Sequence, residues 1–149
     1  MNGNTISEIE LKYSPANPKI GRVKISDSKS AYKILLETWN KETIELYEEF
    51  KILLLNKANE VLGIYVVSKG GITGTVVDIK LLFAVVLKSA STGIILAHNH
   101  PSGNLRPSEA DKTVFGKIKI AANYLDINVF DNLILSKDGY CSFTNQGIE

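Results

Sequence analysis

A short apolar run, Gly93 to Ala97, leads directly into His98-Asn99-His100, which holds the only two histidines of the chain. No other junction constrains the fold as much. An apolar run of this length bounded by turn formers reads as a buried strand. In an extended segment residues two apart project to the same side, so both imidazoles leave one strand end on one face of a sheet. Pro101-Ser102-Gly103 then turns the chain. Ser108-Glu109-Ala110-Asp111 has the S-x-x-[DE] form of a helix capping box, and an apolar-periodic helix follows it. Strand, turn and helix start therefore follow in close succession, at the kind of place where open α/β sheets bind ligands.

The same residues carry a chemistry. Asp111 follows His100 after ten residues that include two prolines and a glycine, enough to fold the chain back. Two neutral imidazoles and one carboxylate leave a fourth position open on a tetrahedral zinc ion, the ligand set of a catalytic site rather than a structural one. A plainer reading competes: Asp111 bonds backbone N–H groups as a helix cap, Asn99, Pro101, Ser102 and Gly103 are ordinary turn formers, and the histidines are solvated. The two readings of Asp111 are compatible, because the helix macrodipole keeps a carboxylate at that position ionised and in place.

Composition narrows the class. With 149 residues, 44% of them apolar and 22% charged, the chain reads as one globular domain with a proper core. A net charge of +1, without a dense Lys/Arg run, gives no reason to expect strong nucleic-acid binding. Cys141 is the sole cysteine, which excludes an intrachain disulfide and a cysteine-based zinc site. MNGNTISEIE lacks the pattern of a secretory signal, and the longest apolar run, Leu81 to Leu87, is too short to span a bilayer. A reducing cytoplasm is the expected setting.

Periodicity predicts an α/β fold, a mixed sheet flanked by helices. Strands are expected over 50–55, 61–68, 94–97 and 129–135, with a last short strand from Tyr140 to Phe143. Helices are expected over 28–40, 78–91 and 108–125. Ile52 to Leu55 is apolar on both faces, as in the middle of a covered sheet, and pairs with the next strand as an antiparallel hairpin. Ser26 or Ser28 is the expected cap of the first helix and Asp78 that of the second. Val114, Phe115, Ile118, Ala122 and Leu125 form the buried side of the third. Residues 6–13 read as a weak strand or docking arm and 14–19 as a break. Gly70, Gly71 and Gly74 lack the spacing of a phosphate loop and read as a connector.

A zinc hydrolase also needs a group to take the proton from water, usually a carboxylate that is not a tight ligand. Glu42, Glu45, Glu48 and Glu49 are the upstream candidates, and composition does not choose among them. All four also read as solvated surface charges.

Taken together, His98-x-His100-x₁₀-Asp111, Ser108 and an upstream glutamate resemble the JAMM motif of the JAB/MPN metalloprotease superfamily. HNHPSGNLRPSEAD, EEFKILLLN (Glu48 to Asn56), GTVVD (Gly74 to Asp78) and LILSKDGYCSF resemble its RadC-like group, over roughly Lys24 to the C-terminus. The resemblance implies an N-terminal arm over 1–23, a catalytic domain over 24–149 of JAB/MPN, cytidine-deaminase-like architecture, and one Zn²⁺ per chain held by His98, His100 and Asp111. It further implies that Glu48 activates the water on zinc and that Ser108 stabilises the oxyanion. Glu48 is preferred to Glu49 because the family pattern is Glu-x-Phe, completed here by Phe50; Glu49→Gln is expected to be nearly silent in zinc content and turnover. The implied partner is a peptide or protein substrate cut at an amide, with no membrane and no strong nucleic acid partner. Alternatives are a DNA-repair-associated protein and a non-catalytic MPN interaction domain.

Two departures stand out. The helix-hairpin-helix region of longer members has no counterpart in these residues. Where the family commonly has Asp-His-Leu-Ile, this chain has Asp131-Asn132-Leu133-Ile134, and Asn132 cannot titrate near neutrality.

Overall fold

Strands with apolar residues on both sides of the pleat need cover on both faces, and the architecture supplies it. The structure is a computed structural model that describes residues 6–8, 10, 22–71 and 76–149. Its elements in chain order are α1 (Ser28–Thr38), β1 (Glu49–Leu55), β2 (Val61–Lys69), α2 (Ile79–Lys88), β3 (Gly93–Asn99), α3 (Glu109–Tyr124), β4 (Asn128–Ser136), β5 (Gly139–Ser142) and α4 (Phe143–Gln146). The strands form one sheet in the order β2-β1-β3-β4-β5. Every residue of β1 and β3 is buried.

The sheet is mixed. β1 runs antiparallel to both β2 and β3, β4 and β5 are antiparallel, and β3 and β4 are parallel. A parallel pair cannot be closed by a tight hairpin and needs a crossover, which is α3. The crossover starts from the C-terminal end of β3, so the N-terminus of α3 returns past His98 and His100.

The pleat divides the core in two. Phe50, Ile52, Leu54, Ile94, Leu96 and Ile134 pack with Leu82 and Val86 of α2 and with Phe115 and Ile118 of α3. Leu53, Leu55, Ile95, Ala97, Leu133 and Leu135 face the other way, against Ala31 and Leu35 of α1. The α/β fold with a mixed sheet flanked by helices is therefore the one expected from the periodicity.

Some details differ. Asp27 caps α1, not Ser26 or Ser28. Its Oδ1 accepts from the Ser30 N–H at 2.7 Å, and its own N–H donates to Ser30 Oγ at 3.1 Å. Ser28 is already helical, and its hydroxyl accepts from Asn145 Nδ2 at 2.8 Å. Asp78 caps α2 as expected. Leu125 is 41% exposed, because α3 ends at Tyr124 and Leu125 has left the helical stripe.

Phe143 belongs to α4 rather than to the last strand. Ser142 Oγ accepts from the Asn145 N–H at 3.1 Å, and the buried Phe143 ring packs edge-on to Phe115 at 5.0 Å. A four-residue helix is too short to leave a periodic signal. The arm over 6–13 lies outside the described residues apart from 6–8 and 10, as do the break over 14–19 and Gly74.

Gly93 sets the start of β3. A Cβ there would lie 2.2 Å from Cε2 of Phe130, so a side chain at this position requires the Phe130 ring to move. Phe130 is 42% exposed and has room to swing outward. Gly93→Ala is therefore expected to destabilise by roughly 1–3 kcal/mol. The same change in a Phe130→Ala background should cost much less, which a double-mutant cycle of urea unfolding would measure.

Candidate metal centre

The period-two pleat of β3 sends His98 and His100 to the α3 side of the sheet and Asn99 to the α1 side. Phe50 lies opposite His98 in the register, and its ring stacks on the imidazole at 5.8 Å with 9° between planes. This fixes the plane of His98. The backbone of His100 still follows the sheet, its N–H donating to Leu135 O at 3.1 Å. Gly103 N–H then closes a turn onto His100 O at 2.9 Å, and Gly103 has a φ of +80°, a conformation that favours glycine.

The orientation of His100 follows from one hydrogen bond. Its Nδ1 lies 2.6 Å from the carbonyl oxygen of Asn104. A carbonyl only accepts, so Nδ1 carries the proton and the lone pair of neutral His100 is on Nε2. That lone pair points at the other two donors.

The third donor comes from the start of α3, where Ser108 and Asp111 form a reciprocal capping box. Asp111 N–H donates to Ser108 Oγ at 3.0 Å, and Ser108 N–H donates to Asp111 Oδ2 at 2.8 Å. Asp111 thus caps the helix and faces the histidines with one carboxylate. Its Oδ1 lies 3.2 Å from His98 Nε2 and its Oδ2 3.3 Å from His100 Nε2, while the two Nε2 atoms are 3.1 Å apart.

These three residues form a group able to hold a metal ion. Ligands 2.0–2.2 Å from a tetrahedral ion stand about 3.3–3.6 Å apart, close to the spacing of these three atoms. Three electron-rich atoms aimed at one another repel unless a cation or protons stand among them. Electrostatics agree. Burial pushes the pKa of His100 down, but the Asp111 carboxylate, the Asn104 carbonyl and the Glu48 charge outweigh it and leave it raised. Burial pushes Asp111 up, but His100 and His98, which donate to it when protonated, and the Ser108 N–H hold it far below the usual carboxylate range.

Glu48 and Glu49 go opposite ways. Glu48 immediately precedes β1, on the side of Phe50 and His98, and its Oε1 is 4.0 Å from His100 Nε2. That is beyond a ligand bond and within reach through one water. Glu49 is buried at 5% exposure on the opposite face, 3.6 Å from Lys51 Nζ and 3.2 Å from Lys69 Nζ. It is not a solvated charge. Lys51, also 5% exposed, further donates to Thr38 O at 3.1 Å and sits 4.1 Å from the Trp39 ring centroid. Glu42 and Glu45 are exposed, Glu45 pairing with Lys137 at 2.7 Å.

Sequence reasoning took Asn99 for a turn former and did not single out Asn104, whose carbonyl orients His100. Asn132 is buried in β4 opposite Leu96, on the same sheet face as His98. Among the described residues, His98 Nδ1 and Asn132 Oδ1 are buried polar atoms without a partner. A metal on Nε2 of neutral His98 would leave the proton on Nδ1, a donor beside an acceptor-bearing neighbour on the next strand.

The pattern describing the RadC-like JAB domain matches residues 25–148. The chain belongs to the RadC-like JAB domain family. It is 45% identical over 125 residues to a UPF0758 protein of Flavobacterium johnsoniae, covering 84% of this chain and 53% of that protein. A UPF0758 protein of Porphyromonas gingivalis is 35% identical over 135 residues, 90% of this chain and 58% of its own length. The chain thus spans about half the length of these curated relatives. No helix among the described residues is long and apolar enough to cross a membrane.

The buried Glu49–Lys51 pair yields a test of the geometry. Glu49→Gln leaves Lys51 buried with a weaker partner and should cost about 2 kcal/mol of stability, without loss of bound metal. Lys51→Met, which removes the buried charge, should cost less. Urea unfolding of both variants measures this, and a Glu49→Gln cost below about 0.5 kcal/mol would place Glu49 among ordinary surface charges.

Proposed function

We propose that this domain is a zinc-dependent amide hydrolase, a metallopeptidase or isopeptidase. The observation that carries the reading is the convergence of His98, His100 and Asp111 with Glu48 held just outside that group. Zinc fits the donor set of two imidazoles, one carboxylate and an open position. When bound, it would lower the pKa of water towards about 7 and polarise a carbonyl oxygen.

The remaining steps belong to the side chains. Glu48 takes a proton from the attacking water as the oxygen adds to the amide carbon. Ser108 already uses an oxygen lone pair to accept the Asp111 N–H, so its hydroxyl hydrogen is free to donate to the developing oxyanion. Glu48 then returns the proton to the leaving nitrogen, the C–N bond breaks, and a carboxylate and an amine result. Asp111 stays ionised throughout, steadied by the Ser108 N–H.

A place for substrate adjoins the site. A cleft of about 300 Å³ runs beside His100, lined by Ile44, Glu45, Pro101, Gly103, Leu105 and Lys137 among others. The mixture of apolar Ile44, Pro101 and Leu105 with charged Glu45 and Lys137 suits a peptide segment next to the scissile amide. The substrate is thus a peptide or protein, and the balance of 17 basic and 16 acidic residues favours no nucleic acid partner.

The experiment is a comparison of zinc content and amide hydrolysis on one set of variants. Elemental analysis of protein purified without chelator should show one zinc per chain, lost in the His98→Ala/His100→Ala double variant. Glu48→Gln should keep zinc and lose hydrolysis of a peptide and isopeptide panel. Ser108→Ala should keep zinc and lower kcat roughly 10²-fold, with about 1 kcal/mol of stability lost with the helix cap. Equal zinc in wild type and the double histidine variant would overturn the metal assignment. Full turnover in Glu48→Gln would overturn the role of Glu48.

A further inference from the structure

Asn99 stands between the two histidines but faces away from them, and its side chain is fully occupied by another task. It is completely buried, at 0% exposure. Its Oδ1 accepts the Glu49 N–H at 2.8 Å, and its Nδ2 donates to Ile44 O at 2.7 Å and to Tyr47 O at 3.0 Å. Three hydrogen bonds from one buried carboxamide all end on the segment that leads into β1.

The peptide unit joining Glu48 to Glu49 is held at both ends. Its N–H is the one that Asn99 accepts, and its carbonyl, that of Glu48, accepts the Gly70 N–H at 2.8 Å from the end of β2. With that peptide plane fixed between β2 and β3, the alternation of the strand sends the Glu49 side chain one way and the Glu48 side chain the other. The outcome is the 4.0 Å approach of Glu48 Oε1 to His100 Nε2. Asn99 also holds the turn over 41–47 through the carbonyls of Ile44 and Tyr47, and Ile44 and Glu45 line the cleft beside His100.

We infer that Asn99 is a positioning residue for Glu48: its carboxamide ties the backbone that carries Glu48 to the strand that carries both histidines. One strand end thus sets the ligands on one face and, through the residue between them, the carboxylate and one wall of the cleft. Aspartate at this position would lose both donors and set a carboxylate against two carbonyl oxygens. Serine or alanine would reach none of the three partners. The inference rests on the hydrolase reading for its consequence in catalysis, but not for its geometry.

The test uses the full chain loaded with zinc. Crystal structures of wild type, Asn99→Ala and the core control Leu53→Val are compared, each with zinc content measured. In Asn99→Ala, His98, His100 and Asp111 should keep zinc in place while the Glu48 carboxylate moves by about 1 Å or more, a misplacement able to cost on the order of 10²-fold in rate. Leu53→Val, which disturbs the same core face without touching the segment, should leave Glu48 where it is. If Asn99→Ala does not fold, Asn99→Ser serves in its place with the same expectation. An unmoved Glu48 in either Asn99 variant overturns the inference, as does an equal displacement in Leu53→Val. Where the peptide panel has established hydrolysis, kcat should fall in Asn99→Ala and stay near wild type in Leu53→Val. Undiminished kcat in Asn99→Ala would overturn the inference, whereas absence of hydrolysis in wild type would overturn the hydrolase reading and leave the structural comparison to decide this one.

Discussion

The end of β3 and the residue that follows it, His98-Asn99-His100, carry more of this molecule than any comparable stretch. His98 and His100 leave the strand on the α3 face, and Asn99, between them, leaves on the α1 face. The alternation is a property of extended backbone and needs no special residue. What makes it consequential is the parallel pairing of β3 with β4, which forces a helical crossover. The helix must begin near the strand end it follows, and its first turn brings Asp111 to the histidines. A different partner for β3 would leave two imidazoles without a carboxylate.

Asp111 combines two demands that would separately be ordinary. As the third residue of α3 it closes a capping box with Ser108, and as an anion it faces the Nε2 atoms of two imidazoles. Each use supports the other, because the Ser108 N–H that steadies the carboxylate also favours its ionised form, alongside the larger effect of the two histidines. His100 is served in the same way by a loop carbonyl, that of Asn104, which decides which nitrogen faces the site. The centre is thus built as much from backbone groups as from its three ligands. Its stacking partner Phe50 comes from β1, the strand that Glu48 immediately precedes, so ligand plane and candidate proton carrier share a support.

The two neighbouring glutamates show what a pleated strand does with identical chemistry. Glu48 lies beside the ligand group, while Glu49 is buried on the far side, paired with buried Lys51 and exposed Lys69. Their separation is a matter of one backbone step. The buried pair beneath the site also gives the start of β1 a polar anchor among apolar neighbours. Lys51 lies over Trp39 at the end of α1, which links that helix to the strand.

Much of this was legible from residues alone. The fully apolar stretches of β1 and β3, the Asp78 cap, the capping box of Ser108 and Asp111 and the His-x-His pair are local patterns, fixed by steric and hydrogen-bonding preferences within a few residues. The cap of α1 was read one residue off, and α4 not at all, because serines and aspartates compete for such positions and a single helical turn has no period. What only the tertiary structure decided concerns contacts between distant segments: the side to which Glu48 rather than Glu49 turns, the burial of Lys51, the tautomer of His100 and the three hydrogen bonds of Asn99. A sequence specifies which atoms are able to donate or accept. Which of them meet depends on how strands far apart in the chain pair, and that is settled by burying both faces of the sheet at once.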